Sequence, residues 1–363
     1  MRIIQTKTAI ALAVAIGFVT LVFSAGNTQP TPIILPAQTN FVYQNPIVSE
    51  AIDGGIRDSD IINWDNKYYL TGTCYPFSRG ARTGVKLWSS ADLKSWKYEG
   101  YLIDSSKLPE AVWYRDTFWA SEIHATKGRF WLTFNSANSS TNHPHTHSCG
   151  LAVADKITGP YTVLTTNKSL LNGNWGNDMT LFVDDDGKTY AFWKSHWVQE
   201  IDLEHAKLVG PRVRTIPNSV PGTWEASGVE GEFVIKRRGT YYLFFSAWSR
   251  GYEVGYATAP HPTGPWTKYK GNPIYGAQDP EHCKKYGLPY TGNPNSPFLG
   301  AGHCSIFTGP DGRDWIAAHG TFRNAKTDKD RFLLVYDPLW IDKDGVVHGE
   351  GPTWTRQTIA LPP

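Results

Sequence analysis

The stretch of sequence that decides the fold reads Asp178-Met-Thr-Leu-Phe-Val-Asp-Asp-Asp-Gly-Lys-Thr-Tyr190. An apolar run enters a turn of acidic residues and glycine, and a basic residue and an aromatic residue follow. Asp and Gly tolerate the positive φ angles of tight turns, so a turn of this kind between apolar runs predicts a β-hairpin. One hairpin is compatible with many folds, and the rest of the chain decides between them.

The same pattern recurs in four other segments, at residues 58–70, 119–132, 230–243 and 303–315. Aligned at the turn, on Lys67, Arg129, Lys188, Thr240 and Arg313, the repeats are 62, 59, 52 and 73 residues apart. A further strand pair follows each hairpin, which gives four strands a repeat. Units of this size are typical of propeller blades. The sequence therefore predicts an all-β protein, a five-bladed β-propeller with four antiparallel strands per blade, in a single domain at 45–363.

Composition supports a strand-rich fold and excludes several classes of protein. The 363 residues include 34 Gly, 24 Pro and 13% aromatic residues but only 2 Met, which makes helical apolar faces scarce. The aromatic content excludes a disordered chain. With 35 Lys and Arg against 33 Asp and Glu, the chain lacks the dense basic surface of nucleic-acid binders, so we expect no nucleic-acid partner.

The first residues have the pattern of an export signal. Arg2 and Lys7 precede an apolar run at 9–23, and small residues follow at 24–26. The run is shorter than the roughly 20 residues of a membrane-spanning helix, so cleavage is favoured over a retained membrane anchor. We expect a signal peptide (1–26), a linker (27–44) and a secreted mature protein, extracellular or periplasmic, with no membrane partner.

Four cysteines follow the export signal: Cys74, Cys149, Cys283 and Cys304. In an exported chain an even number permits two disulfides, and four cysteines allow three pairings. A domain of this size has enough core to fold without them. Buried free thiols are therefore the alternative, and the sequence leaves both open.

Charged residues occur where a propeller blade would place small or apolar ones. The first strand of each blade lines the central channel, and the hairpin segments carry charged or ionisable residues near its mouth. These residues are Asp58, Asp178, Glu230 and His303, with Glu122 two residues further along its strand. Converging carboxylates and burial both raise a carboxyl pKa, so such clusters are typical of sites that need a carboxylate and a carboxylic acid together. The ordinary alternative for any single position is a turn cap.

Paired carboxylates without a nucleophile motif or a phosphate-binding loop point to hydrolysis of glycosidic bonds, in which one group protonates the leaving oxygen while the other activates water or attacks the anomeric carbon. The chain resembles glycoside hydrolase family 43 over the whole predicted propeller. The resemblance rests on the order and spacing of six motifs. They are Arg57-Asp58-Ser59-Asp60-Ile61, Trp119-Ala-Ser-Glu-Ile-His124, Asp178 with 181–188, Glu230-Gly231 with 241–243, Gly302-His-Cys-Ser-Ile306 and Asp337-Pro-Leu-Trp-Ile-Asp342.

The resemblance implies a role for each candidate residue. Asp58 would be the general base, Glu230 the general acid, and Asp178 the residue that tunes the pKa and orientation of the acid, in a reaction that inverts the anomeric configuration. The residues that would bind substrate are Trp119, Glu122, His303 and Arg331. The resemblance implies no required cofactor, but His303 corresponds to a channel histidine that often stands beside a calcium or other ion.

The sequence departs from the family pattern at three places. Ser59 follows the base and Met179 follows Asp178 where proline is usual, and Glu232 stands where proline is common after the acid. None of these changes removes a catalytic group. Glu232, however, is a second candidate for the general acid.

Two further segments contain candidate binding residues. His143, His145 and His147 alternate around a proline, which allows a metal site or a contact with substrate but favours a solvated loop. The Pro- and Gly-rich segment 278–298 is predicted to be an insertion before the fifth blade that shapes one side of the pocket.

The sequence thus predicts a monomeric, secreted, inverting glycosidase that acts on an oligo- or polysaccharide. The resemblance implies release of α-L-arabinofuranosyl or β-D-xylosyl residues from plant cell-wall material. Many β-xylosidases of the family carry an additional C-terminal β-sandwich, so the chain end soon after the fifth blade favours arabinofuranosyl substrates. The alternatives are a galactan-directed hydrolase of the same fold and a non-catalytic carbohydrate-binding propeller, although the latter would not require all three carboxylates.

Overall fold

The computed structural model describes residues 39–139, 147–172, 174–217 and 219–362. The predicted signal peptide, most of the predicted linker, His143 and His145 lie outside these residues. No helix of the described part is long and apolar enough to cross a membrane.

The described chain forms five antiparallel sheets of four strands each, one of which pairs with an additional fifth strand, and one separate strand pair, which confirms the predicted five-bladed propeller. Strand β1 (Asn40–Tyr43) precedes the blades. The first blade contains β2 (Ile56–Trp64), β3 (Lys67–Cys74), β4 (Val85–Ser90) and β5 (Lys97–Ile103). The second contains β6 (Phe118–Thr126), β7 (Arg129–Ser136), β8 (Ser148–Ala154) and β9 (Thr162–Val163). The third contains β10 (Thr180–Val183), β11 (Thr189–Trp193), β12 (Trp197–Asp202) and β13 (Lys207–Arg214).

The last two blades carry the irregular elements. The fourth contains β14 (Val229–Arg237), β15 (Thr240–Ala247), β16 (Gly251–Ala259) and β17 (Thr267–Lys268), and β18 (Tyr275–Gln278) also pairs with β16. The fifth contains β19 (Phe298–Thr308), β20 (Asp314–Phe322), β21 (Phe332–Ile341) and β22 (Val347–Gly349). Helix α1 (Pro280–Lys285) lies in the predicted insertion, and 3-10 turns occupy Ser105–Lys107 and Asp328–Asp330. The last strand is β23 (Gln357–Ala360).

The hairpin between β10 and β11 shows why the turn pattern was informative. Gly187 has φ 82°, and its N–H donates to the carbonyl of Asp184 at 2.9 Å. The N–H of Asp184 in turn donates to the carbonyl of Lys188 at 2.9 Å. A residue with a Cβ would be strained at this φ, so glycine and its acidic neighbours define the turn.

Apolar side chains lie between the blades. Separate clusters fill the interfaces between blades one and two, two and three, three and four, four and five, and five and one. Trp131 and Trp315 are fully buried in two of them. Because each blade is apolar on both faces, the five blades cover one another in a ring. The first strands β2, β6, β10, β14 and β19 consequently face a common central channel.

A strand pair that the sequence did not predict joins the segment before the first blade to the segment after the fifth blade. β1 lies antiparallel to β23, with Asn40 opposite Ala360, although residues 40–43 were expected to be linker. Next to this pair, the fully buried carboxylate of Asp337 accepts hydrogen bonds from Tyr43 and Tyr275 at 2.9 Å and from the Thr353 N–H at 3.2 Å. Burial raises the pKa of Asp337 to about 6, against the opposing effect of these hydrogen bonds.

Replacing Asp337 by Asn should destabilise the fold. The amide NH₂ would face hydroxyl donors in a site built for an acceptor, which costs about 2–3 kcal/mol when the group is fully buried. Thermal denaturation should show a midpoint lowered by several degrees. Asp344→Asn, at an exposed turn beside Lys343, is the control and should leave the midpoint unchanged. Equal midpoints for the two variants would show that Asp337 does not stabilise the closure.

The four cysteines are all buried and free. Of the two alternatives that the sequence left open, the structure therefore shows the free thiols.

Candidate active site

Four of the five first strands distort at the same point on their way through the channel. The ladder shifts between Arg57 and Asp60, Trp119 and Glu122, Glu230 and Phe233, and Gly302 and Ser305. The residue at this bulge has positive φ in each of the four: Asp58 (52°), Ala120 (43°), Gly231 (66°) and His303 (53°). In the third blade Asp178, two residues before β10, also has positive φ (56°). A bulge changes the direction in which a side chain points, so the backbone itself aims Asp58, Asp178 and His303 at one place.

Asp58 is a buried carboxylate surrounded by donors. Its Oδ2 accepts a hydrogen bond from the Thr73 hydroxyl, and its Oδ1 lies 3.3 Å from His303 Nδ1. Arg57 and His319 place nitrogens 4.0 and 3.6 Å from the same Oδ1. Burial opposes ionisation, but His303, Arg57 and the Thr73 hydroxyl together hold the pKa of Asp58 well below its usual range. Asp58 is therefore ionised at any pH at which the protein is expected to work.

His319 takes part as a neutral imidazole. Its Nδ1 accepts a hydrogen bond from the Asp58 N–H at 3.1 Å. Burial lowers the pKa of His319 to about 3, and the Asp58 charge offsets only part of this effect. The ring therefore holds the Asp58 backbone in place and does not neutralise the carboxylate.

Glu230 and Asp178 form a second acidic group on the other side of His303. Glu230 accepts hydrogen bonds from Lys194 through Oε2 and from the Tyr252 hydroxyl through Oε1, both at 2.5 Å. Burial raises the pKa of Glu230, but the charges of Lys194 and His303, with the hydrogen bonds from Lys194 and Tyr252, together lower the pKa overall. Asp178 accepts from Asn135 at 2.9 Å, and burial next to Glu230 raises its pKa to about 7. In the arrangement without substrate, the proton shared by this pair thus resides on Asp178.

His303 lies between the two acidic groups. One ligand atom each of His303, Asp178 and Glu230 lies within 4.8 Å of the others. Burial lowers the pKa of His303, but Asp58, Asp178 and Glu230 raise it above the ordinary value. Calcium takes six to eight oxygen ligands, whereas this cluster offers an imidazole and two carboxylates that already accept other hydrogen bonds. The two carboxylates are therefore better suited to neutralise a protonated His303 than to bind a calcium ion directly.

Glu232, the second candidate for the acid, is turned away from this group. Its side chain is fully buried, and Oε1 accepts from the His196 N–H at 2.9 Å and lies 3.2 Å from His196 Nδ1. The bulge at Gly231 separates the two glutamates, so Glu230 alone contacts Lys194 and Tyr252.

Residues 43–347 match the family described as glycosyl hydrolases family 43. The chain belongs to this family. It is 26% identical over 327 residues to a protein named xylosidase/arabinosidase 43B from Humicola insolens, in an alignment that covers 85% of this chain and 55% of that protein. The chain therefore spans little more than half the length of that relative.

Two other similar proteins match along most of their length. The first is named beta-D-galactofuranosidase xynD, from Aspergillus niger, and is 25% identical over 351 residues, covering 87% of this chain and 91% of that protein. The second is a crystal structure of a thermostable family-43 glycoside hydrolase, with a TM-score of 0.67 at 26% identity, covering 87% of this chain and 98% of that one.

Aromatic side chains form one flank of the site in this family-43 chain. Trp119 stacks against His147 with ring centroids 4.5 Å apart, and Trp175, 56% exposed, contacts the edge of His147 at 6.1 Å. Burial, with Lys194 and another cation nearby, lowers the pKa of His147 to about 4. Lys194 Nζ lies 5.6 Å from the Trp175 ring and 4.9 Å from the Trp248 ring. These rings provide apolar faces on which a sugar can stack.

The remaining predicted substrate contacts are divided between two locations. Arg331 lines a cavity beside Tyr252 and His319. Glu122 instead lies further along its strand, where its Oε2 is 3.4 Å from His124 Nε2. Burial and Glu122 together raise the pKa of Asp60 well above its ordinary value, so these two acids form a separate group toward the other end of the channel. Glu122 is not part of the compact cluster of Asp178, Glu230 and His303, although its charge contributes to the raised pKa of His303.

Sequence reasoning missed several residues that contact the family-43 site. They are Arg57, Thr73, Asn135, Lys194, Tyr252 and His319. Only Arg57 adjoins a predicted catalytic residue in the chain, and it stood inside a quoted motif. The others lie on second or third strands or, in the case of Lys194, directly after one, where nothing in the local pattern distinguishes a site residue from a structural one.

Proposed function

We propose that this protein is an inverting glycosidase that releases pentosyl residues, arabinofuranosyl or xylosyl, from plant cell-wall polysaccharides or their oligosaccharides. The observation that carries the proposal is that the channel lowers the pKa of one carboxyl group and raises the pKa of another. Asp58 is held ionised by His303, Arg57 and Thr73, whereas Asp178 and Glu230 retain a proton between them near pH 7. A carboxylate and a carboxylic acid in one site are what glycoside hydrolysis needs.

In this mechanism Asp58 accepts a proton from water as the water attacks the anomeric carbon. Glu230 donates a proton to the leaving oxygen, and Asp178 supplies the negative charge that keeps that proton on Glu230 when substrate displaces Lys194. Asp58 stands outside the compact group of Asp178, Glu230 and His303. Inversion requires room for a water between base and sugar, and the anomeric configuration of the product tests it.

Hydrolysis of aryl glycosides is the direct test. A panel of aryl arabinofuranoside, xyloside, galactoside and galactofuranoside should yield release of one pentose, and NMR of the fresh product should show the inverted anomer. Release of a retained anomer would contradict the mechanism. Binding of sugars without cleavage would favour the non-catalytic carbohydrate-binding alternative.

The galactofuranoside belongs in the panel for a specific reason. The Aspergillus relative named as a galactofuranosidase matches this chain over nearly the full length of both. β-D-Galactofuranosyl and α-L-arabinofuranosyl rings share their ring configuration and differ by one exocyclic hydroxymethyl group. A galactofuranosyl substrate is therefore the second candidate.

Export and a monomeric state complete the proposal. The basic residues and apolar run at the N-terminus support export, although they lie outside the described residues. Detection of the mature chain in the culture medium or periplasm, cut near residue 26, would test it, and retention of the full-length chain in the cell would contradict it.

Lys194→Met should shift the alkaline limb of the pH profile. Lys194 lowers the pKa of Glu230 through its charge and hydrogen bond, so its removal raises that pKa. A general acid is active when protonated, and kcat/KM should therefore persist to higher pH than in the wild type. Lys188→Met, at the exposed tip of the β10–β11 hairpin, is the matched control. An alkaline limb that stays in place or moves to lower pH in Lys194→Met would argue against Glu230 as the acid.

A further inference from the structure

A cavity of 690 Å³ opens beside the candidate active site. Its wall includes Arg57, Tyr252 and His319, each of which contacts Asp58 or Glu230, and it extends over residues 321–332 between β20 and β21. The cavity is therefore continuous with the catalytic group.

The cavity wall is predominantly cationic. Its basic side chains are Arg57, Arg323, Lys326 and Arg331, and its acidic side chains are Asp279 and Asp328. Asp279 already caps α1 by accepting from the Glu281 N–H at 2.9 Å. Within the described part of the chain, Arg323, Lys326 and Arg331 form no ion pair with a carboxylate. An uncompensated positive charge in a cavity attracts an anionic ligand.

Three of the guanidinium groups are held in place by contacts with neighbouring residues. The Phe332 ring has the Arg57 guanidinium 4.9 Å and the Arg331 guanidinium 5.2 Å from its centroid. Arg323 is anchored by its Nε, which donates to the Ser296 carbonyl at 3.0 Å. A terminal nitrogen of Arg323 and Nε of Arg57 are buried without a partner among the described residues. A buried donor without an acceptor is costly, which indicates that an acceptor belongs here.

We propose that this cavity binds a carboxylate-bearing sugar, a uronosyl residue of the substrate, with Arg323 and Arg331 as its main contacts. The planar guanidinium fork matches the two oxygens of a carboxylate, whereas a neutral sugar would leave the cationic wall uncompensated. The inference rests on the proposed function and narrows it, because it makes acidic, uronosyl-substituted oligosaccharides the preferred substrates.

The test compares two oligosaccharides that differ only in charge. One is an arabinosyl-substituted xylo-oligosaccharide with a single glucuronosyl branch, and the other is the same molecule after reduction of its carboxyl to an alcohol. Calorimetry with the Glu230→Gln variant, which suppresses cleavage, should show at least about tenfold tighter binding of the acidic form at low salt. The difference should shrink in 0.5 M NaCl, where the Debye length is only a few Å.

Arg331→Gln, added to the Glu230→Gln background, should abolish most of this preference and leave binding of the reduced form nearly unchanged. Arg323→Gln should act in the same direction. Arg238→Gln is the matched control, since Arg238 lies at the tip of the β14–β15 hairpin, at the far end of β14 from Glu230. The control should keep the full preference.

Three results would overturn the inference: equal affinities of the parent variant for the two forms, no binding of either form, or an equal loss for both forms on changing Arg331. The wild-type aryl-glycoside assay separates this failure from failure of the proposed function. Cleavage of a neutral aryl pentoside with no acidic preference leaves the glycosidase in place and removes only the uronosyl site. A preference for the acidic form without any cleavage would support the uronosyl site and contradict the proposed glycosidase activity.

Discussion

Replacement of Glu230 by Gln should lower kcat on pentosyl oligosaccharides by about 10³-fold, within the 10²–10⁴ range of general acid catalysis. Gln keeps the size of the side chain but cannot donate a proton to the leaving oxygen. The loss should therefore depend on the leaving group. With a dinitrophenyl glycoside, whose leaving group departs without protonation, the variant should retain much more of the wild-type rate than it does with an oligosaccharide.

Glu232→Gln is the decisive comparison for this prediction. Glu232 is two residues away on the same strand, but its carboxylate is buried against His196. The variant should retain kcat, provided that its circular dichroism spectrum shows the native fold. Loss of activity in folded Glu232→Gln, with Glu230→Gln still active, would transfer the role of acid to Glu232.

Replacement of Asp58 by Asn should lower kcat by about 10³–10⁴-fold for good and poor leaving groups alike. An amide cannot accept the proton of the attacking water, and this step is needed whatever leaves. Azide needs no base, so adding it should restore turnover and give a glycosyl azide of inverted configuration. The pattern of rescue thus distinguishes loss of the base from loss of the acid.

Asp60→Asn tests the assignment of the base on the same strand. The pKa of Asp60 is raised well above its ordinary value by burial and by Glu122, which favours the neutral carboxyl form that Asn resembles. This variant should keep its activity. A large loss in folded Asp60→Asn, together with a small one in Asp58→Asn, would contradict the proposed mechanism.

The fold could be predicted from sequence because its signal is local and repeated. Each hairpin can be recognised from a turn sequence such as that at Gly187. Five similar units in one chain are compatible with few folds other than a propeller. The pairing of β1 with β23 could not be predicted in the same way. Asn40 and Ala360 pair only because the blades form a ring, and the sequence around each residue contains no pattern that predicts the other as its partner.

The site was predicted in part, for the same physical reason. Asp58, Asp178 and His303 were found because each opens a repeat, and repeats can be aligned. Glu122 was placed with them on the alternation of an ideal strand, but the bulge at Ala120 disrupts that alternation. Lys194, which controls the protonation of Glu230, has no counterpart in the repeat pattern and was found only through the fold.

The positive-φ position that several blades share places functional side chains in the channel at a cost in folding stability. Asp58, Asp178 and His303 occupy a backbone conformation that glycine adopts without strain, as Gly231 does in the fourth blade. They also confine charged groups in a buried position, which costs further free energy. Glycine at these positions would relieve both effects, so variants with glycine there should be more stable and inactive. Thermostability alone is therefore a poor criterion for choosing active members of this fold.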